Sequence, residues 1–342
     1  MNLLGKLAAG VMAAAVLAVG MASAANAQPF RLIVTDLEAP LVPNSVMDLA
    51  VNLGYFEAEG VEVELVRVQQ TPSALAALQA GEGEMANISV DAILQLVAGG
   101  ANDLRAVISP NKSLPFLIAS KAEIATPADL VGRSFGVGRI GSVDHSLSTR
   151  VLGSAGVDVD AVEMVALGQP SVRAQALAAG QVDATTMSIG VWNSLPDTTG
   201  LHVLIDQDAY YAAAPVVNKV NLVTQATLDS RGDDVRAVIR ALVKISRDVA
   251  ADPNVWINGM AEARPDVDRA VLETLAAAFA SSWSVNGGLN AQELTDTTAF
   301  LYDSEDFAST PAVEIGQWVD FAPLDEVLGE LGTAPDLDPT GR

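Results

Sequence analysis

Residues 70–89 read QTPSALAALQAGEGEMANIS, and residues 169–188 read QPSVRAQALAAGQVDATTMS. Gln70-x-Pro72-Ser73, Ala77-Leu78-x-Ala80-Gly81, Glu84 and Ser89 of the first stretch return, with one residue inserted, in the second. There they are Gln169-Pro170-Ser171, Ala176-Leu177-x-Ala179-Gly180, Asp183 and Ser188. Each copy has the same grammar: a strand runs into a loop, Ser caps a helix, Gly stops it, and a second strand carries a polar residue to its carboxyl end. Ligands of open α/β sheets collect outside the carboxyl ends of the strands. Two such ends facing each other would frame a cleft.

The pattern around the repeat agrees with this reading. Residues 30–37 read as a strand, and a helix follows from Ser45 with Val46, Leu49, Ala50 and Leu53 at the 3.6 period. Strands are expected at 61–68, 85–88 and 104–109, with a helix at 91–98 between the last two. Strands and helices alternate to about Ile205, which predicts an α/β fold of mostly parallel sheets with helices on both faces. From about Thr224 the pattern is helical, over 233–250, 253–261, 265–281, 291–303 and 323–331, punctuated by Asp-Pro, Arg-Pro and Ala-Pro steps. Without strands of their own to cover, these helices are expected to pack on the first lobe and reach back to the second. The tail 333–342, with two prolines, two aspartates and little that is apolar, is expected to be loose.

Composition narrows the function. Residues 1–27 combine Lys6, an uncharged apolar run over 7–21 and the small-x-small step Ala25-Asn26-Ala27, the pattern of a cleaved secretory signal peptide. The chain has no cysteine, which leaves no lipid-attachment site and no disulfide, so release as a soluble periplasmic protein is expected. A net charge of −23, from 19 basic and 42 acidic residues, argues against nucleic acid as a partner. Two histidines and no cysteine leave little for a transition-metal site or a nucleophile-base pair. No cofactor is expected. Gly136 to Ser142, GVGRIGS, fits G-x-G-x-x-G, but an exported dinucleotide enzyme lacks its cofactor outside the cytoplasm.

Asn52 to Val63, NLGYFEAEGVEV, resembles the "elGyFkkeGldV" signature of the solute-binding proteins for nitrate, taurine, alkanesulfonates and thiamine precursors that serve ABC importers. Ala77 to Gly81 with Glu84 resembles that group's "aLaaGeiD" step. Thr126 to Arg133 resembles its "dLkGkkigv" opening of the second lobe, and Trp283 to Gly288 a C-terminal helix junction. The resemblance covers essentially the whole chain after the signal peptide and implies a periplasmic binding protein-like clamshell of type II, with two crossovers at the hinge. Lobe one would be 28–116 plus 216–342 with the C-terminal helices, and lobe two the inserted 117–215. It also implies a monomeric, non-enzymatic receptor for a small-molecule solute, working with an inner-membrane ABC permease. Related enzymes that make a pyrimidine precursor depend on cysteines and histidines this chain lacks.

Under that resemblance GVGRIGS serves the backbone. Gly138 and Gly141 turn the chain, and the start of the helix at Ser142 offers free N–H groups to an anion. Arg139 either clamps a carboxylate or sulfonate or points outward. In lobe one, Thr35, Asp36 and Glu38 follow the first strand and either receive an amine or form a solvated loop; Asn44 lies just beyond. Gln70, Thr71, Asn87, Ser89, Gln169 and Ser188 are neutral hydrogen-bonding groups near further strand ends. Trp192, Tyr210 and Tyr211 either stack on an aromatic solute or pack the hinge. The expected ligand is a small organic anion or zwitterion; a pyrimidine thiamine precursor, nitrate and an aromatic acid are alternative ligands. A secreted enzyme on the same scaffold and a sensory receptor are the rival functions.

Overall fold

A computed structural model of the chain describes residues 28–42, 44–69, 71–335, 338 and 340. The expected signal peptide and Gln70 lie outside these residues. Ten strands form two five-stranded sheets: β1 (Phe30–Val34), β2 (Val63–Arg67), β3 (Met85–Ser89), β4 (Leu104–Ile108), β5 (Phe116–Lys121), β6 (Ser134–Val137), β7 (Glu163–Ala166), β8 (Ala184–Ser188), β9 (Leu201–Ile205) and β10 (Lys219–Thr224). Their orders are β2-β1-β3-β10-β4 and β7-β6-β8-β5-β9. In sheet one, β1 runs parallel to β2 and β3, while β10 is antiparallel to β3 and β4. Sheet two repeats this with β6 parallel to β7 and β8, and β5 antiparallel to β8 and β9. Four of five strands in each sheet therefore share one direction.

The repeat holds down to the residue register. Leu32 and Ile33 face Met85 and Ala86 in sheet one; Phe135 and Gly136 face Ala184 and Thr185 in sheet two. Extending this register makes Leu37 and Ile140 equivalent, and likewise Lys219 and Phe116, which pair with the equivalent Ser89 and Ser188. The repeated acids also share one task. Glu84 accepts from the backbone N–H of Arg31 at 2.6 Å and from its guanidinium, while Asp183 accepts from the backbone N–H of Ser134 at 3.0 Å and from Lys121 at 2.7 Å. Each acid fastens the start of one strand to the turn before the next. Apolar side chains such as Leu32, Ile33, Ala86, Ile88, Phe135 and Met187 are fully buried within the two sheets.

The glycine-rich segment after the helix Ser45–Asn52 docks the helical section. Gly54 and Gly60 take φ of 74° and 79°, the left-handed region open to glycine, and Phe56 between them is buried. Tyr55 donates to Asp248 at 2.6 Å, and Glu59 pairs with Arg240 and Lys244, all on the helix Gln225–Ala251. The remaining long helices are Pro253–Ala263, Arg269–Ala278, Ala291–Tyr302 and Ala322–Leu331. They pack about this helix and sheet one, and Val319 bridges to Ala106 of β4. They also reach sheet two's helices: Arg150 lies 5.0 Å over the Phe300 ring. Trp256 is fully buried, with its indole N–H donating to Ser45 at 2.9 Å.

The tail departs from expectation at Asp338, which is buried. Its carboxylate accepts from the backbone N–H groups of Asn286 and Gly288 at 2.9 and 3.0 Å and meets Lys112 at 2.7 Å. A buried ammonium needs a carboxylate, and composition gives no hint that a distant tail supplies it. Among the described residues no helix is long and apolar enough to cross a membrane.

Candidate functional site

The two carboxyl edges meet around one small cavity of about 190 Å³. Ser89, Val90 and Asp91 line it where β3 passes into the helix Val90–Ala98, and Val143, Asp144 and Leu147 line it from the helix Val143–Ser154 beyond β6. Phe116, the first residue of β5, and Asn218, just before β10, line it as well, and the helix Ala291–Tyr302 contributes Thr297 and Leu301.

On sheet one, polar side chains form a continuous chain along the strand tips. Lys219, the first residue of β10, donates to Thr35 Oγ1 at 2.8 Å and stands 4.0 Å from the Asp36 carboxylate. Asn44 precedes the helix Ser45–Asn52; it donates to Asp36 at 3.2 Å and accepts from Asn111. Asn87, Asn111 and Asn221 are buried and joined: Asn87 donates to Asn111 at 3.0 Å and to Asn221 at 2.7 Å. Three amides satisfying one another remove the cost of burying polar groups alone. Burial pulls the Lys219 ammonium below its usual lysine range, against the pull of Asp36. Behind this row Arg67 pairs with Asp48, whose carboxyl is pushed up by burial against the lowering effect of the guanidinium.

On sheet two the strand tips are met by the chain's own groups. Asp144 accepts from the Gly138 N–H at 2.7 Å and from the buried Arg173 at 3.2 Å, while Arg173 also donates to the carbonyls of Gly168 at 2.7 Å and Thr186 at 3.1 Å. The loops after β6 and β7 and the end of β8 are thereby tied together. Gly141 donates to His145 Nδ1 at 3.1 Å, and Ser142 caps the helix by accepting from the His145 N–H and donating to the Arg139 carbonyl. Gly141 has φ of 79°, and a Cβ there would collide with the Glu305 carboxylate. Arg139 extends to Asp306 at 2.5 Å, joining this loop to the C-terminal helical section.

The sequence-predicted residues thus fall into groups. Thr35, Asp36, Asn44 and Asn87 share the polar chain. Ser89 lines the cavity. Gly138, Arg139, Gly141 and Ser142 form a loop whose donors named above already have partners within the protein. Glu38 is largely exposed and 3.6 Å from Arg264, on the outer side of its loop. Thr71 begins the helix Thr71–Gln79, Gln169 precedes the helix Pro170–Ala178, and Ser188 accepts from Val191 N–H at 3.2 Å to start the short helix that holds Trp192. Tyr210 is fully buried, edge-on to Phe116 with ring centroids 5.9 Å apart, so it packs against the start of β5. Sequence reasoning missed Lys219, Asn111, Asn221 and Arg173. The only signal for Lys219 was a single charge opening the strand KVNLVT.

Residues 46–255 match the sequence model of a family described as NMT1/THI5 like. No curated protein matches the chain. Among solved structures it is similar to the alkanesulfonate-binding protein SsuA from Xanthomonas axonopodis pv. citri bound to MOPS, at 22% identity over 88% of this chain and 99% of that chain, with a TM-score of 0.62. The periplasmic aliphatic sulphonate binding protein SsuA from Escherichia coli is 18% identical over 86% of this chain and 92% of that chain, with a TM-score of 0.66. The desulfurization enzyme DSZB is 16% identical over 88% of this chain and 99% of that chain, with a TM-score of 0.63. The architecture is accordingly that of the periplasmic binding proteins: two mixed sheets with helices on both faces.

Proposed function

We propose, since the chain belongs to the NMT1/THI5-like family, that it is the periplasmic substrate-binding component of an ABC importer. It captures a small organic anion or zwitterion between two lobes, 28–116 plus 216–342 and 117–215, and presents it unchanged to an inner-membrane permease. The observation that carries the reading is that Ser89 to Asp91 and Val143 to Asp144, from the carboxyl edges of different sheets, line one cavity. Hinge closure about β5 and β10 would bring those edges onto a ligand. Thr35, Asp36, Asn44, Thr71 and Ser89 serve from lobe one, with Gln169, Ser188 and Trp192 from lobe two. The two sulfonate-binding neighbours support the ligand class by analogy of fold alone.

The test is a thermal shift against sulfonates, carboxylates, nitrate, pyrimidines and aromatic acids. A ligand at about 100 times its Kd stabilises the folded state by about 2.7 kcal/mol. A melting temperature raised only by cations sinks the proposal. The fold shared with a desulfurization enzyme favours one second reading, desulfurization of a sulfur compound. Sulfite released on incubation with a binding sulfonate would replace receptor by enzyme.

A further inference from the structure

We propose that Lys219 is the charge-selecting residue of this cleft, docking the acid group of the ligand, a carboxylate or a sulfonate, on its ammonium at the tips of sheet one. The inference rests on the receptor reading above and names the contact that reading leaves open.

Three observations lead to it. The first is the contrast with the other described lysines. Lys112 holds Glu293 at 2.9 Å and Asp338 at 2.7 Å, Lys121 holds Asp183 at 2.7 Å, and Lys244 is paired with Glu59. The carboxylate beside Lys219 stands at 4.0 Å, outside hydrogen-bond reach. An ammonium has three donors, and among the described residues one side-chain acceptor, Thr35 Oγ1, meets Lys219 at 2.8 Å. Its side chain is 16% exposed, so water replaces the missing acceptors poorly.

The second is the repeat. The equivalent place in sheet two, opposite Ser188 as Lys219 is opposite Ser89, holds Phe116, whose ring packs on Tyr210. The architecture is built with an aromatic ring in that slot, so the first copy has no structural need of a charge. The third is location. Thr35 follows β1 and Ser89 ends β3, so the ammonium lies at the carboxyl edge where open α/β sheets receive ligands. The donors of the opposite loop are turned inward, onto Asp144 and His145. Asp36, held by Asn44, keeps the site close to neutral until a ligand arrives.

The experiment compares wild type with Lys219→Met by calorimetric titration of ethanesulfonate and propionate, with propionamide as the neutral control, and by melting of the ligand-free proteins. At least one acid binds the wild type and propionamide does not. Lys219→Met, which keeps the length of the side chain, weakens that acid roughly 10- to 100-fold, the loss of a hydrogen bond to a charged group, and melts no lower than wild type. The sulfonate and carboxylate arms identify which acid the site takes. Acid binding that survives Lys219→Met overturns this assignment and leaves the receptor standing. A variant that melts several degrees lower, or does not fold, makes Lys219 structural and also overturns it. Wild type that binds neither acid removes this assignment, and removes the receptor reading too if no other solute of the wider panel binds.

Discussion

Replacing Asp183 with asparagine removes one negative charge from the joint between β6 and β8 while keeping a carbonyl oxygen for the Ser134 N–H. Burial alone would raise this carboxyl, but the Lys121 ammonium with the Ser134 N–H and hydroxyl outweighs it and holds the group down to about 2. A folded-state value below the unfolded one means that the charge stabilises the fold above the unfolded value, near 3.9. That stability is lost as pH falls through the folded value. The shift corresponds to about 2 kcal/mol near neutrality, roughly half of that near pH 3 and under about 0.5 kcal/mol near pH 2. Urea denaturation of wild type and Asp183→Asn across this pH series measures the difference directly. The variant should unfold at lower urea at about pH 7, and the two curves should converge in acid. A gap that stays constant between about pH 7 and pH 2 would refute the claim that the ionised carboxylate, and not its shape, secures the joint.

Three further substitutions probe the glycine loop and the docking of the long helix. Gly141→Ala places a Cβ at φ of 79° against Glu305 and should cost about 1 to 3 kcal/mol, read as a lower melting temperature; an unchanged melt means the loop relaxes freely. Glu59→Gln leaves Arg240 and Lys244 without their shared, largely buried carboxylate and should cost about 1 to 3 kcal/mol. Tyr55→Phe serves as its comparison, expected to cost less because the Tyr55 to Asp248 bond is exposed.

The fold was legible because its information is local and doubled. Alternating apolar runs, a Pro-Ser helix start and a stopping Gly mark each unit, and two copies at matched spacing imply two sheets with one topology; Ser73 and Ser171 lie inside their helices and do not cap them. The signature at Gly54 to Gly60 was legible as resemblance but not as mechanism, since its partners Asp248, Arg240 and Lys244 lie far along the chain on a helix whose charged face reads as solvated. The candidate site was legible where it follows a strand directly, as at Thr35, Asp36, Asn87 and Ser89. It was illegible where it depends on register between distant strands. Asn87 meets Asn221 only because β10 inserts beside β3, and Lys219 meets Thr35 across 184 positions. The helix start at Ser142 reads as an open donor set because helix-start chemistry favours anions in general. That Asp144, the second residue of this helix, turns its carboxylate back onto Gly138 and Arg173 is a matter of side-chain direction.

The placement of β10 has a consequence for how the molecule is made. All five strands of sheet two lie between Phe116 and Ile205, so that sheet is complete in an uninterrupted length of chain. Sheet one begins first but ends last: β4 has no neighbour until Lys219–Thr224 arrives to sit between it and β3. A polypeptide emerging amino end first must hold its earliest strands unfinished while the later half folds, and a fragment cut at residue 116 would expose two raw sheet edges. Truncation after residue 116 should therefore yield aggregate, whereas 116–205 carries every strand of its sheet.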